Sequence, residues 1–279
     1  MDSPDFSIVT VTLNSGEQLG RTIASLATQT YRKFEHIVKD GGSTDGSLAC
    51  CQPWDGRYAL HVVTERDTGI YDAMNQALAH CRGRYVLFLN AGDCLATPDV
   101  LTQLAPAATD ADAPGVLYTD YAMFGEPQRI TSPVITPMML YWAVLCHQAC
   151  YIRRDYYEQY GGFDTSLKVL ADHEMLLRVK LRARATHRYV PIVSAECLGG
   201  GFSTTPRARL CAQQEIAVLR RRHFSPAQRL SYGLPYALTL PGVRIRLMQS
   251  PKMHWLRPFY TSTVNWIHRR LNPPRISAR

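Results

Sequence analysis

Four apolar, β-branched runs alternate with stretches of helical spacing through residues 6–90, and each run stops at a polar or acidic residue. FSIVTVTL closes on Asn14-Ser15-Gly16. FEHIVKD ends at Asp40 and opens into GGSTDGS. ALHVVTE ends at Glu65, and RYVLFLN gives way to Ala91-Gly92-Asp93. Between them, Leu19, Ile23 and Leu26 are spaced for a helix within 17–29, and Ser47 opens a second helical stretch. GIYDAMNQALAHC carries Ile70, Met74, Ala77, Leu78 and Cys81 on one side. Strands alternating with helices predict an α/β chain with a mostly parallel sheet and helices on both faces. Ligands of such sheets sit beyond the carboxyl ends of the strands. Asn14, Asp40, Glu65 and Asp93 are therefore expected along one ligand-binding rim.

After residue 100 the pattern loosens. APAATDADAPG at 105–115 reads as a loop, and GVLYTDYAMF as a strand entering a hairpin. CHQACYIRRDYYEQYGGFD reads as a strand and a short helix ending at Gly161-Gly162. LADHEMLLRVKLRARA predicts an amphipathic helix with Met175, Leu176, Val179 and Leu181 inward, and THRYVPIVSAEC a last strand. Residues 208–223 look helical, whereas 224–279 mix Pro, Arg and aromatics with no clean period.

Several functions are excluded at this stage. GxGxxG does not follow the first strand and GxxxxGK[ST] is absent, which argues against a dehydrogenase or a P-loop NTPase. Eight cysteines include no CxxC pair, so they read as mostly buried, reduced thiols rather than a zinc site. An acidic N-terminus and the lack of a long uncharged span predict neither a secretory signal nor a transmembrane helix. An acid at a strand tip suits a divalent metal that carries a diphosphate, because Mg²⁺ and Mn²⁺ take few carboxylates and fill the rest with phosphate oxygens. Ala91 and Gly92 leave room for such a ligand. Spacing alone leaves Asp93 open between this role and that of a turn-capping acid.

FSIVTVTLNSGEQLGRTIASLATQTYRKFEHIVKDGGSTDGS resembles the opening of a family 2 inverting glycosyltransferase of the GT-A fold, a Rossmann-like architecture. ERDTGIYDAMNQALAHCRGRYVLFLNAGD and HQACYIRRDYYEQYGGFDTSLKVLADHEMLLR continue the likeness, which is strongest to the bacterial colanic-acid and exopolysaccharide branch and spans roughly residues 6–205. The resemblance implies a donor-binding half at about 1–100 and an acceptor half at about 101–205. It implies that Thr12, Asn14, Asp40, Gly41, Asp67, Asp72, Asn75, Asn90 and Gly92 bind the nucleoside-diphosphate sugar. Asp93 would hold Mn²⁺ or Mg²⁺, and Asp172 would be the catalytic base. Asp172 read alone is also a plausible first-turn helix acid. His147 and Gln148 are candidates for the acceptor side, with a satisfied polar role as the alternative for His147. Four positions depart from the family's pattern: Leu13 replaces an aromatic, Asn90 the first acid of the metal motif, Gly92 an acid, and Ala171 a Glu.

Charge divides the chain. Residues 1–206 carry 17 Lys/Arg against 22 acids, whereas 207–279 carry 14 against one, Glu215. The tail adds Trp255, Phe259, Tyr260 and Trp266, a mixture suited to an anionic membrane interface. With no nucleic-acid motif present, nucleic acid is not expected. Residues 206–279 are therefore read as a basic, membrane-associating extension on a cytoplasmic enzyme peripheral to the inner face of the plasma membrane. The expected reaction moves a sugar to a hydroxyl of a polyprenyl-diphosphate-linked saccharide in bacterial surface polysaccharide synthesis. A sugar-nucleotide-binding scaffold and a transferase acting on a soluble or protein acceptor stay open as alternatives, as does an oligomer.

Overall fold

The structure is a computed structural model that describes residues 3–126, 128–200 and 205–238. The chain divides into a larger unit, residues 1–132 and 144–217, and a smaller one, 133–143 with 218–279. This differs from a division at residue 205. The first two thirds of the helix beginning at Pro206, residues 206–217, belong with the larger unit, and a segment before residue 144 belongs with the smaller.

The larger unit is built on one sheet. Its first four strands are β1 (Phe6–Thr12), β2 (Phe34–Asp40), β3 (Leu60–Thr64) and β4 (Tyr85–Phe88). They lie in the order β3-β2-β1-β4, all parallel. Every residue of β1, β2 and β4 is buried, which accounts for the β-branched and aromatic character of β1 and β4, while β2 also buries Glu35, His36, Lys39 and Asp40. The sheet continues with β8 (Cys150–Arg153), β6 (Val116–Met123), β9 (His187–Cys197) and β5 (Cys94–Leu95), while β7 (Arg129–Ile130) forms the expected hairpin with β6. Pairing turns antiparallel at β4–β8 and β8–β6 and is parallel again at β6–β9. In register, Thr12 lies beside Asp40 and Asp40 beside Thr64, so these strands do end along one rim.

Helix α1 (Glu17–Ala27) buries Leu19, Thr22, Ile23 and Leu26. Helix α2 (Ile70–Leu78) buries Tyr71, Ala73, Met74 and Ala77; Ile70, expected on that side, is 41% exposed at the first turn. The stretch from Ser47 is a 3₁₀ helix to Trp54. The first five residues of the expected loop at 105–115 instead complete α3 (Val100–Thr109), with Pro106 inside it, and residues 110–115 are the loop. Val100, Leu101, Leu104, Ala105 and Ala108 line its buried side, and that burial outweighs the one backbone bond that Pro106 cannot donate. After α5 (Arg154–Tyr160), α6 (Ala171–Leu177) passes into a π-helical turn at Arg178–Arg182. The wider turn shifts the face, so Leu181 is half-buried rather than inward. Helix α7 (Pro206–His223) follows.

The smaller unit contains α4 (Pro137–Trp142), capped by Thr136, and α8 (Pro226–Leu238). Helix α8 falls where no period was read. Trp142 donates its indole N–H to the carbonyl of Tyr232 (2.9 Å), and Tyr141, Phe224 and Tyr232 pack edge to face. The tail aromatics Trp255, Phe259, Tyr260 and Trp266 lie outside the described residues. No helix among the described residues is long and apolar enough to cross a membrane.

Candidate active site

Two clusters form where the parallel strands end. The first gathers the tips of β1 and β2. Asp40 is fully buried and turns the chain: its carboxylate accepts from the amides of Gly42 (3.0 Å) and Ser43 (3.1 Å) and from the Ser43 hydroxyl (2.5 Å). Asn14, in the left-handed region at φ 50°, clasps the same turn by accepting from the Thr44 amide (2.8 Å). Thr12 is hydrogen-bonded to Ser15 (2.5 Å). Asp67 lies against Gly41, where an added Cβ would stand 2.7 Å from its Oδ2. Behind it the fully buried Lys39 donates to the Glu65 carbonyl (2.5 Å) and pairs with Asp67 (3.4 Å). Lys39 was missed from sequence, although it is the one Lys or Arg of β2. Leu13 stands 58% exposed beside this cluster.

The second cluster forms past β4. Asn90 and Asp93 close a tight turn, the Asp93 amide donating to the Asn90 carbonyl (3.0 Å). A short 3₁₀ helix, His147–Ala149, leads into β8, which pairs with β4 and so brings His147 and Gln148 to that turn. Gln148 donates to Asp93 Oδ2 (2.8 Å), and the Leu198 amide donates to its Oδ1 (2.9 Å). Gly92, at φ 99°, makes room for Leu198: a Cβ there would stand 2.7 Å from the leucine side chain. His147 bridges the two halves. Its Nδ1 pairs with Asp172 Oδ2 at 2.8 Å, and its Nε2 is 3.3 Å from the Asn90 amide nitrogen. The Asn90 amide oxygen is buried without a hydrogen-bond partner.

Asp172 sits in the first turn of α6 and accepts the His173 amide (2.8 Å), which is the helix-start role weighed from sequence. Its pairing with His147 adds a second feature. Apolar walls from Phe88, Cys150, Tyr157 and Phe163 enclose the pair. Burial pushes Asp172 up, but the hydrogen bond and charge of His147, with the His173 amide, outweigh it and hold the carboxyl below its usual range. Burial likewise pushes His147 down, while the hydrogen bond and charge of Asp172 outweigh that and raise it. The two directions agree: each partner favours the charged form of the other.

Asp72 and Asn75 join neither cluster. Asp72 accepts from the Thr68 amide (2.8 Å) and hydroxyl (2.9 Å), closing the start of α2. Asn75 holds the backbone of Phe163 at both ends, donating to its carbonyl (2.9 Å) and accepting its amide (2.7 Å). Asp120, fully buried, accepts from Arg129, the Ser132 amide (2.8 Å) and Tyr189 (2.8 Å), which anchors the β6–β7 hairpin.

Among the described residues, no three His, Cys, Asp or Glu side chains are arranged to hold a metal. Asp93 offers a single carboxylate whose partners are neutral donors. That set fits a hard divalent ion that draws its other ligands from a diphosphate and water.

A family model described as glycosyl transferase family 2 matches residues 7–181. A PGL/p-HBAD biosynthesis glycosyltransferase of Mycobacterium bovis is 32% identical over 208 residues, covering 74% of this chain and 81% of that protein. Among solved structures, Staphylococcus aureus TarS 1–349 in complex with UDP-GlcNAc aligns at TM-score 0.62 and 21% identity, over 77% of this chain and 66% of that one. The mannosyltransferase PcManGT of Pyrobaculum calidifontis, in complex with GDP-Man and Mn²⁺, aligns at 0.62 and 19%, over 97% and 84%.

Proposed function

The chain belongs to glycosyl transferase family 2, and we propose that it transfers a sugar, with inversion, from a nucleoside-diphosphate sugar to an acceptor hydroxyl. The observation that carries this reading is the convergence of Asp93 and Asp172, from opposite halves of the chain, on the paired residues His147 and Gln148. Solved relatives of the same fold bind UDP-GlcNAc and GDP-Man, which supports a nucleotide-sugar donor.

In this reading the first cluster receives the nucleotide. Asn14, Asp40 and Gly41 shape the turn that the base meets, and Asp67 closes it. Asp93 would hold Mn²⁺ or Mg²⁺, which when bound supplies Lewis-acid neutralisation of the departing diphosphate. Asp172 accepts the proton of the acceptor hydroxyl as its oxygen attacks the anomeric carbon. A hydroxyl is far less acidic than a carboxylic acid, so proton transfer accompanies attack. His147 holds Asp172 ionised and oriented for that moment.

A thermal-shift panel of UDP-, GDP-, CDP- and dTDP-glucose, each with and without Mn²⁺, tests the donor side on wild type and Asp93→Ala. We expect one nucleotide to raise the melting temperature in a Mn²⁺-dependent way, and Asp93→Ala to lose that dependence. No shift with any nucleotide would undercut the transferase reading, and binding without donor hydrolysis or transfer would favour a sugar-nucleotide-binding scaffold.

The acceptor is read as a lipid-linked saccharide of a bacterial surface polysaccharide, reached from an anionic membrane surface. Support comes from the 14 Lys/Arg against one acid in residues 207–279 and from Leu230 and Leu234, 65% and 60% exposed one turn apart on α8. The full chain should float with phosphatidylglycerol vesicles at low salt and release at high salt. A protein that stays in the soluble fraction at low salt would point to a soluble acceptor.

A further inference from the structure

Glu215 is the single acid of the basic C-terminal region. It projects from α7 and is only 8% exposed. Its Oε1 accepts the amide of Lys168 (2.5 Å), and its Oε2 accepts those of Val169 (3.1 Å) and Leu170 (2.8 Å). The Cys211 thiol, one turn back on α7, also donates to Oε1 (3.4 Å). One carboxylate thus gathers three consecutive backbone N–H groups.

Those three residues lead directly into α6. Leu170 is the N-cap of that helix and offers no side-chain cap, and Asp172 is its second residue. A helix start leaves amides that need acceptors. Glu215 meets that need at the entry to α6 from a segment some 45 residues downstream. The other tether on this stretch is the Tyr71 hydroxyl, which donates to the Val169 carbonyl (2.6 Å) and approaches Asp172 Oδ1 at 3.4 Å. The stretch is therefore held by its amides from α7 and by a carbonyl from α2. Asp172 in turn meets His147 at 2.8 Å through Oδ2 while its Oδ1 accepts the His173 amide.

We propose that Glu215 is a positioning residue for Asp172: by fixing the amides of residues 168–170 it aims the base, and it makes α7 part of the catalytic apparatus. The proposal rests on reading Asp172 as the base. It also gives the lone acid a reason to stand among so many cations, since no lysine, arginine or neutral side chain can accept from three amides at once.

The test uses the full chain with Glu215→Gln, Glu215→Ala and Asp172→Asn. Hydrolysis of UDP-, GDP-, CDP- and dTDP-glucose, assayed in parallel, supplies the rate, with water as acceptor. The imidazole proton spectrum supplies a readout that needs no donor. A misaimed base costs on the order of 10²-fold for a displacement of about 1 Å. We expect Glu215→Ala to lower kcat roughly 30- to 100-fold and Glu215→Gln, which keeps one acceptor oxygen, roughly tenfold. KM for the donor should stay within about twofold in both. The His147 Nδ1 proton signal, sharp in wild type, should broaden or move in both variants.

A wild-type kcat and an unmoved His147 signal in Glu215→Gln would overturn the proposal. So would a loss of rate that follows only the unfolded fraction, measured by circular dichroism in the same samples. If Glu215→Ala does not fold, the near-isosteric Glu215→Gln decides. Full activity in Asp172→Asn would instead remove the premise, and is distinguishable because the His147 signal would still respond to Glu215.

Discussion

Replacing Asp172 with Asn should lower the transfer rate by about 10²- to 10⁴-fold, the range that a positioned general base contributes. The amide keeps the shape and accepts the His173 amide but cannot take a proton. Donor affinity, measured by equilibrium dialysis, should change by less than about twofold, because Asp172 lies with His147 and not at the tips of β1 and β2. The pH profile extends the test. Against the cost of burial, His147 and the His173 amide hold Asp172 below the usual carboxylate range, so the base form persists to lower pH than for a free Asp. The acid limb of kcat should accordingly lie lower than an ordinary aspartate would place it, and His147→Gln should move it upward. An acid limb unmoved by His147→Gln, or a transfer rate unaffected by Asp172→Asn, would remove Asp172 from the mechanism.

Replacing Gly83 with Ala should destabilise the protein by about 3 kcal/mol, near the top of the usual overpacking range. The residue lies between α2 and β4, where the chain crosses the start of β1. A Cβ there would stand 2.4 Å from the Ser7 amide nitrogen and 2.5 Å from the Phe6 carbonyl carbon. Both are backbone atoms of a fully buried strand, so neither can swing aside. The Gly83 amide also donates to Ser7 Oγ (2.8 Å) and to Glu35 Oε1 (3.1 Å), so retreat would break bonds to a carboxylate that is 1% exposed. For a unit of this size the melting temperature should fall by roughly 6–12 °C. Urea denaturation checks the prediction, and a loss under about 0.5 kcal/mol would mean that the loop shifts freely.

Much of this was legible before any coordinates, and the pattern of what was not is physical. Helices α1 and α2 announce themselves because one-sided burial imposes a period, and strands β1 and β4 because burial on both faces leaves short apolar runs bounded by turn residues. The rim followed from the same reading, since parallel strands must end together. Helix α3 was hidden by Pro106, which signals a break wherever local rules alone are applied; burial of Leu101, Leu104 and Ala108 decided otherwise. Strand β5 is two residues long and exists through its pairing with β9, a partner that local sequence cannot supply.

The site divides along the same line. Asp93 stood out at a strand tip, where spacing alone left its role open, and Asp172 took its role from the family resemblance. His147 and Gln148 were marked for the acceptor side, but their contacts with Asp172 and Asp93 exist only because β8 pairs with β4. Lys39 and Glu215 each broke a local charge pattern, and that was the available signal. Their distant partners, the Glu65 carbonyl for Lys39 and the Lys168 amide for Glu215, lie 26 and 47 positions away.

The clasp of Asn75 on Phe163 has a consequence for engineering. Chains of this kind invite the building of chimeras that join one donor half to another acceptor half near residue 100. Yet the seam is stitched by particular atoms. Asn75 binds both backbone groups of Phe163, Tyr71 holds the carbonyl of Val169, His147 meets Asn90, and Gln148 meets Asp93. A borrowed acceptor half that lacks any of these partners would leave buried polar groups stranded in the half that was kept. The two halves are thus not interchangeable cassettes, and a new specificity is better sought by changing exposed residues such as Leu13, which none of these stitches involves.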